Sequence, residues 1–353
     1  MVNKDLKKAC KDYDKNVDVA AAITDLNGNL VAAYGTDKGK DAENLATALN
    51  QPCSSLKPLS VYAPAIDDGT INWSSRYEDS PYKYVKNLEG VMRPWPSNSS
   101  EVYSERYAYI YQAIMESMNT VAVKCLKDYG IEKSISFLEK SFNMRVGPEK
   151  TTAKTLGAEE VIGNIALGFL TDGASVVDMA GYYQVFANGG KYEAPLAVLK
   201  LCDSSGKTIY ERKYSPNQVI KNTTADIMNK MLKEVVNEGG TGEDAKCQSV
   251  EVAGKTGTDD NFKNNWFVGV TPEYSCAFWH GLSDKNLAAK IFSSAVDKIY
   301  SSKKDYKKNF AFHSNLKKVA YCTESGKQLN PNCTIIRTGY YTFDNVPGLC
   351  DRH

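Results

Sequence analysis

The chain has 353 residues, 24% charged and 42% hydrophobic, which is enough apolar surface for a core and excludes disordered and fibrous classes. That length admits two domains or one large enzyme domain with an inserted lobe. Forty-three basic against forty-two acidic residues leave a net charge of +1, so the chain as a whole carries no electrostatic footprint for nucleic acid or an anionic membrane.

Residues 1–16, MVNKDLKKACKDYDKN, have no apolar signal-like run and read as an N-terminal linker. From Val17, VDVAAAITDLNGNLVAAYG predicts two strands joined around Asn27-Gly28, a dipeptide that favours hairpin turns. In QPCSSLKPLS, Pro58 lacks an N–H and is tolerated only in the first turn of an α-helix, so a helix is expected to begin at about Ser54. A mostly helical segment follows over about 58–248. Within it TLGAEEVIGNIALGF, SVVDMAGYYQVFANGG and TADIMNKMLKEVVNEGG show helical spacing, the last two ending in Gly189-Gly190 and Gly239-Gly240. Ser175 with Asp178 three residues on has the pattern of a capping box. The longest apolar runs, such as VIGNIALGFL from Val161, fall short of the roughly 18 residues a membrane helix needs.

SVEVAGKTG from Ser249 then predicts a third strand, and NWFVGVTPEYSCAFWHGL from Asn265 two more, joined at Thr271-Pro272-Glu273. Two early and three late strands point to one five-stranded antiparallel sheet built from both ends of the chain. DKNLAAKIFSSAVDKIYSS, from Asp284, is an amphipathic helix suited to cover one sheet face. The fold class is therefore α/β of the α+β type: a sheet flanked by helices over 17–302, with a helical subdomain inserted. Residues 303–353 form a Lys-rich, Cys-containing extension.

The nine cysteines include no CxxC pair, which argues against a zinc or iron–sulfur site. Cys322, Cys333 and Cys350 alone cluster, and they admit a local disulfide in an oxidising compartment. His280, His313 and His353 show neither metal-ligand spacing nor neighbouring ligands, and nothing supports a His-based triad. No metal or organic cofactor is expected.

Three short motifs carry chemistry. Ser54 and Lys57 stand three apart, so on a helix hydroxyl and amine share a face, as nucleophile and base would. At a helix start the serine also meets the positive end of the helix dipole. Alone, this pair reads as a capping serine and a surface lysine. Ser117 and Asn119, in ESMNT, offer a hydroxyl for proton relay and an amide for a substrate carbonyl; alone they are a polar pair at a helix end. Lys255-Thr256-Gly257-Thr258 sets a cation and hydroxyls beside a glycine that lets another backbone approach; alone it is a solvated strand end.

In this order, SxxK, SxN and KTG form the signature of penicillin-recognising serine acyltransferases. The segments QPCSSLKP, YAPAIDDGTI, EDSP, RPWPSN, MESMNTVAV, IALGFLTDGASVVDMAGYYQVFANGG, KTGT followed by NNWFVGVTP, and CTESGKQLNPNC with CDRH extend the likeness. From about Val17 the chain resembles the transpeptidase domain of class A, bifunctional penicillin-binding proteins. The resemblance implies a penicillin-binding protein/β-lactamase-like fold and a DD-transpeptidase. Such an enzyme cross-links peptidoglycan stem peptides through a serine acyl-enzyme and is inhibited by β-lactams. It implies Ser54 as nucleophile, Lys57 as general base, Ser117 as proton relay and Asn119 as a ligand of the donor amide. It further implies Lys255, Thr256 and Thr258 around the donor carboxylate, an oxyanion hole from the Ser54 and Thr258 N–H groups, and a Cys322–Cys333 disulfide. It also implies an upstream glycosyltransferase domain and membrane anchor missing from this chain, and a place on the extracytoplasmic face of the bacterial plasma membrane.

Two residues depart from the family pattern. Cys53 stands where glycine is usual; spacing from Lys57 favours Ser54 over this thiol as nucleophile, and Cys53 reads as a small buried apolar residue. Asn265 replaces an acidic residue and reads as a tolerated surface change. The alternatives are a β-lactamase or DD-carboxypeptidase-type hydrolase and a non-catalytic β-lactam sensor. Glu139 and Asn143 have the spacing of one β-lactamase class, but Phe137, Leu138 and Phe142 form an apolar stripe that leaves Glu139 on the wet side of a helix.

Overall fold

The computed structural model describes residues 1–13, 17–36, 44–86, 89–146, 158–281, 287–312 and 315–353. Helix α1 (Val2–Lys11) precedes strands β1 (Val19–Asp25) and β2 (Leu30–Gly35). After the helical region come β3 (Ala253–Thr258), β4 (Asn265–Val270) and β5 (Tyr274–His280). The five strands form one sheet in the order β3-β4-β5-β1-β2, with antiparallel neighbours throughout. The first hairpin turns where expected, with Gly28 at φ +76 and the Asp25 carboxylate accepting the N–H groups of Asn27 and Asn29.

Strand β1 is continuously apolar because both of its faces are covered. Val19, Ala21 and Ile23 join a core with Phe267, Phe278 and the terminal helices, whereas Ala20 and Ala22 face the helical subdomain beside Trp266 and Val268. The closing helix, described over Leu287–Ser301, covers the first face, residues 284–286 of the expected helix lying outside the described residues. Residues 1–13 of the expected linker do more than connect: in α1, Leu6, Ala9 and Cys10 are fully buried in the same core. Their spacing of three and four places one apolar stripe along an otherwise charged helix, and Leu6 alone is worth about 1.5–3 kcal/mol on burial.

The inserted region contains α2 (Ala63–Asp67), α3 (Ile110–Met115), α4 (Asn119–Tyr129), α5 (Ile131–Phe142), α6 (Ala158–Leu167), α7 (Val176–Tyr183) and α8 (Asn222–Val235). Short antiparallel ribbons interrupt it, such as Arg76–Glu78 with Tyr107–Tyr109 and Lys83–Lys86 with Met92–Trp95. The Ser175–Asp178 capping box is formed reciprocally. In the extension, Lys317–Cys322 pairs with Ile336–Tyr341 as a hairpin whose Tyr321 and Tyr341 are buried in the helical subdomain's core. His313 lies outside the described residues. Among the described residues, no helix is long and apolar enough to cross a membrane.

Candidate active site

The run from Cys53 does not start as a regular α-helix. Cys53–Leu56 is a 3-10 turn and Pro58–Tyr62 a π turn, after which α2 continues. Two prolines explain the departure, since neither Pro58 nor Pro64 has an N–H to give the α pattern. The Ser60 carbonyl, which would pair with residue 64, instead accepts the Ser134 hydroxyl at 2.6 Å. The nucleophile turn is braced from outside: the Trp266 indole N–H donates to Gln51 O at 2.8 Å, and the Tyr183 hydroxyl to Ser55 O.

Ser54, Ser117, Asn119, Thr256 and Thr258 line one pocket, together with Ser97, Asn98, Ser99, Thr241 and Asp260. Lys57 and Lys255 are fully buried beneath it. Lys57 Nζ donates to Ser117 O at 2.9 Å and to Asn119 Oδ1 at 2.5 Å, and Lys255 Nζ donates to Ser117 Oγ at 2.9 Å. The three motifs are thus joined by one hydrogen-bond array. No Ser54–Lys57 hydrogen bond is present among the described residues, which leaves the half-buried Ser54 hydroxyl at the pocket wall.

Burial, and then the Lys255 charge, hold the Lys57 amine well below the usual lysine range. Burial brings Lys255 down to about 7. A lowered pKa lets an amine give up its proton more readily, which a general base requires.

Gly257 is needed for space. A Cβ there would stand 2.4 Å from Pro52 O and 3.0 Å from Ser55 N, so only glycine lets β3 lie against the nucleophile turn. Thr256 Oγ1 donates to Thr241 Oγ1 at 2.9 Å.

Cys53 sits at φ 51 and Ser117 at φ 60, left-handed conformations that cost a non-glycine residue free energy and gather at functional sites. The Cys53 thiol is buried, donates to Gln51 O at 3.3 Å and is pushed up to about 12 by burial and by Asp259 and Asp260. That environment keeps it protonated and disfavours it as a nucleophile.

Asn98 and Asp79, to which the sequence assigned no role, set the position of the SxN motif. Asn98 Oδ1 accepts the Asn119 N–H at 2.8 Å, capping α4, while Asp79 Oδ1 accepts from Asn98 Nδ2 and Thr120 Oγ1, both at 2.7 Å. Asn119 Nδ2 reaches Ser97 O at 2.7 Å. These residues belong to EDSP and WPSN, and an acidic residue and an amide beside prolines were the only sequence signal.

Other expectations change. Asn265 is not on the surface: it is fully buried, donating to Phe262 O at 2.8 Å, because β4 lies inside the sheet. Glu139 is exposed on α5, and Asn143 is the left-handed cap of that helix. His280 is buried at the end of β5 and accepts the Leu287 N–H, and it does not line the pocket. Cys322 and Cys333 are free thiols and not a disulfide. They lie in one cluster with Cys350 and His353, all four ligand atoms within 4.8 Å of one another, so His353 does have neighbouring ligands. The hairpin turn and the last residues fold onto each other, which spacing along the chain does not reveal.

Residues 14–298 match the family model described as the penicillin binding protein transpeptidase domain. The chain belongs to that family. It is 34% identical over 305 residues to penicillin-binding protein 1A of Clostridium botulinum, covering 84% of this chain and 35% of the relative. With penicillin-binding protein 1A of Clostridium tetani the identity is 28% over 367 residues, covering 97% and 46%. This transpeptidase domain chain therefore spans less than half the length of these curated relatives. Among solved structures, penicillin-binding protein 1A from Haemophilus influenzae superposes with a TM-score of 0.74 at 22% identity, covering 94% of this chain and 54% of that one. PonA1 from Mycobacterium tuberculosis gives 0.71 at 20% identity, covering 88% and 84%. The transpeptidase fold is thereby established.

Proposed function

We propose that this transpeptidase domain is a serine acyltransferase acting on D-Ala-D-Ala stem peptides of peptidoglycan, and that β-lactams acylate the same serine. The observation that carries the reading is the buried array Lys57–Ser117–Lys255, with Asn119, under a pocket walled by Ser54. Ser54 Oγ attacks the penultimate D-Ala carbonyl while neutral Lys57 takes its proton. The Ser54 and Thr258 N–H groups receive the developing oxyanion. Ser117, hydrogen-bonded to Lys255, passes a proton to the departing D-Ala amine, and Thr256, Thr258 and Lys255 hold the donor's terminal carboxylate. Asn119 orients the donor amide. The amine of a second stem peptide then attacks the ester carbonyl, forms the cross-link and frees Ser54. In a longer protein this domain would act at the extracytoplasmic face of the plasma membrane, where such peptides lie.

The test is labelling with a fluorescent penicillin followed by peptide mapping. The adduct is expected on Ser54, lost in Ser54→Ala and retained in Ser55→Ala and Cys53→Ala. An adduct mapped to Cys53 or Ser55 would overturn the assignment, and an acylated protein that never turns over a D-Ala-D-Ala peptide with an amine acceptor would make it a sensor.

A further inference from the structure

The extension holds a second constellation that acyl transfer does not use. Cys322, Cys333, Cys350 and His353 have their ligand atoms within 4.8 Å of one another, from positions spaced C-x10-C-x16-C-x2-H. The geometry points to a structural zinc site, Cys3His, that fastens the 303–353 extension to the transpeptidase body; this is independent of the proposed acyl-transfer chemistry.

Ligand atoms in tetrahedral zinc sites, about 2.3 Å from the metal for sulfur and 2.0–2.1 Å for nitrogen, lie about 3.8 Å apart. The cluster therefore needs to contract by no more than about 1 Å. Three segments are already tied together around it. Cys322 N–H donates to Lys327 O and Gly326 N–H to Cys322 O, both at 2.8 Å, closing a tight turn with Gly326 at φ +72. Cys350 N–H donates to Gln328 O at 2.8 Å, and Asn330 Nδ2 donates to Cys350 O and His353 O at 3.0 and 2.9 Å.

Polar hydrogens are directed at the sulfurs, as thiolate ligands require. Asn330 N–H lies 3.4 Å from Cys333 Sγ, and Ser325 Oγ lies 3.1 Å from Cys350 Sγ. Glu324 stands 3.5 Å from His353 Nε2, placed to hold the ring. Three soft sulfurs and one imidazole select zinc over magnesium or calcium, and four protein ligands close the shell, so no position is left for catalysis. A disulfide would engage only two of the four groups. Each thiol gives up one proton on binding, so one Zn²⁺ displaces three protons and His353 binds as neutral imidazole.

The docked turn explains what the metal would stabilise. A Cβ at Gly326 would meet Ser74 O at 2.4 Å, Ser74 Oγ donates to Gly326 O at 2.5 Å, and the Tyr109 hydroxyl donates to Thr323 O. Tyr109 immediately precedes α3, the helix that leads to Ser117.

The experiment uses the full chain, reduced and stripped of metal, titrated with zinc against a chromophoric chelator. One equivalent is expected to bind, protecting Cys322, Cys333 and Cys350 from a thiol reagent while exposed Cys202 still reacts, and cobalt(II) should give a tetrahedral thiolate spectrum. Loss of outer-shell partners alone costs zinc sites 10–100-fold in affinity, so Cys333→Ser and His353→Ala should each lose at least about 100-fold, with Cys202→Ser unchanged. His353→Ala removes no buried apolar group and serves alone if Cys333→Ser fails to fold. Zinc uptake that His353→Ala leaves unaltered, or no stoichiometric uptake by the reduced chain together with a Cys322–Cys333 disulfide in the air-isolated protein, overturns the proposal.

Discussion

Lys255 Nζ donates to Ser117 Oγ at 2.9 Å, joining the edge strand of the sheet to the turn before α4. The same cation is the second cause of the low affinity of Lys57 for a proton, after burial. Two charges in one dry site cannot both persist at low cost, and the base is the one that gives way.

The pH dependence of acylation follows from that relationship. A neighbouring cation depresses an amine's pKa, so its removal in Lys255→Ala raises that of Lys57, and the rising limb of the acylation rate should move to higher pH. Lys57→Ala should instead lose about 10²- to 10⁴-fold at every pH, as expected when a general base is removed. Penicillin acylation rates from pH 6 to 10 measure both, and an unshifted limb in Lys255→Ala would remove the electrostatic link.

Stability should change in the opposite sense to activity. The unfolded chain protonates Lys255 up to about pH 10.5, whereas the folded chain does so only below about 7. The unfolded state then binds more protons, so the deficit is full below pH 7 and fades as pH rises to 10.5. At about 1.4 kcal/mol per pKa unit the deficit is roughly 4–5 kcal/mol, less about 1 kcal/mol for each hydrogen bond lost. With three such bonds, Lys255→Met should be about 1–2 kcal/mol more stable than the parent in urea at pH 7, inactive, and without that advantage at pH 10. A pH-independent difference would contradict the account.

The sheet was legible because its signals are local: an Asn-Gly turn, short apolar runs and a Thr-Pro-Glu turn, all of which form. The motif residues were legible for the same reason, and the structure gathers Ser54, Lys57, Ser117, Asn119 and Lys255. What escaped depends on partners distant in sequence. Asp79 and Asn98 matter only because they meet α4, helix α1 is ordered by the sheet it covers, and Cys322 meets His353 through a hairpin. Asn265 was misplaced because its strand's neighbours, not its own polarity, determine burial.

Cys53 offers a test of backbone strain beside the nucleophile. A non-glycine residue in the left-handed region costs about 1–2 kcal/mol, and a buried thiol with one weak hydrogen bond returns part of that. Cys53→Gly should therefore keep stability within about 1 kcal/mol of the parent and retain penicillin labelling. Cys53→Val, β-branched at φ 51, should lose more than about 2 kcal/mol, because Gly168 packs so closely on the Cys53 carbonyl that the turn cannot relax. Urea midpoints of the two variants decide it; equal destabilisation would mean that side-chain volume and not backbone strain matters.

The lifetime of the β-lactam adduct separates a transpeptidase from a hydrolase. Acylation requires the nucleophile and base that Ser54 and Lys57 supply, but rapid deacylation requires a second base aimed at water beside the ester. Glu139, the one residue whose spacing suggested that role, is exposed on α5 and does not line the pocket. The retained antibiotic fragment blocks the incoming amine, and among the described residues the one carboxylate that lines the pocket is Asp260, beside Thr258. An adduct of one antibiotic per chain should persist for many minutes by intact mass and be unaffected by Glu139→Ala. Rapid loss with repeated penicillin turnover, abolished in Asp260→Asn, would identify Asp260 as a deacylating base and the domain as a hydrolase; the same loss abolished only in Glu139→Ala would require α5 to reach the pocket.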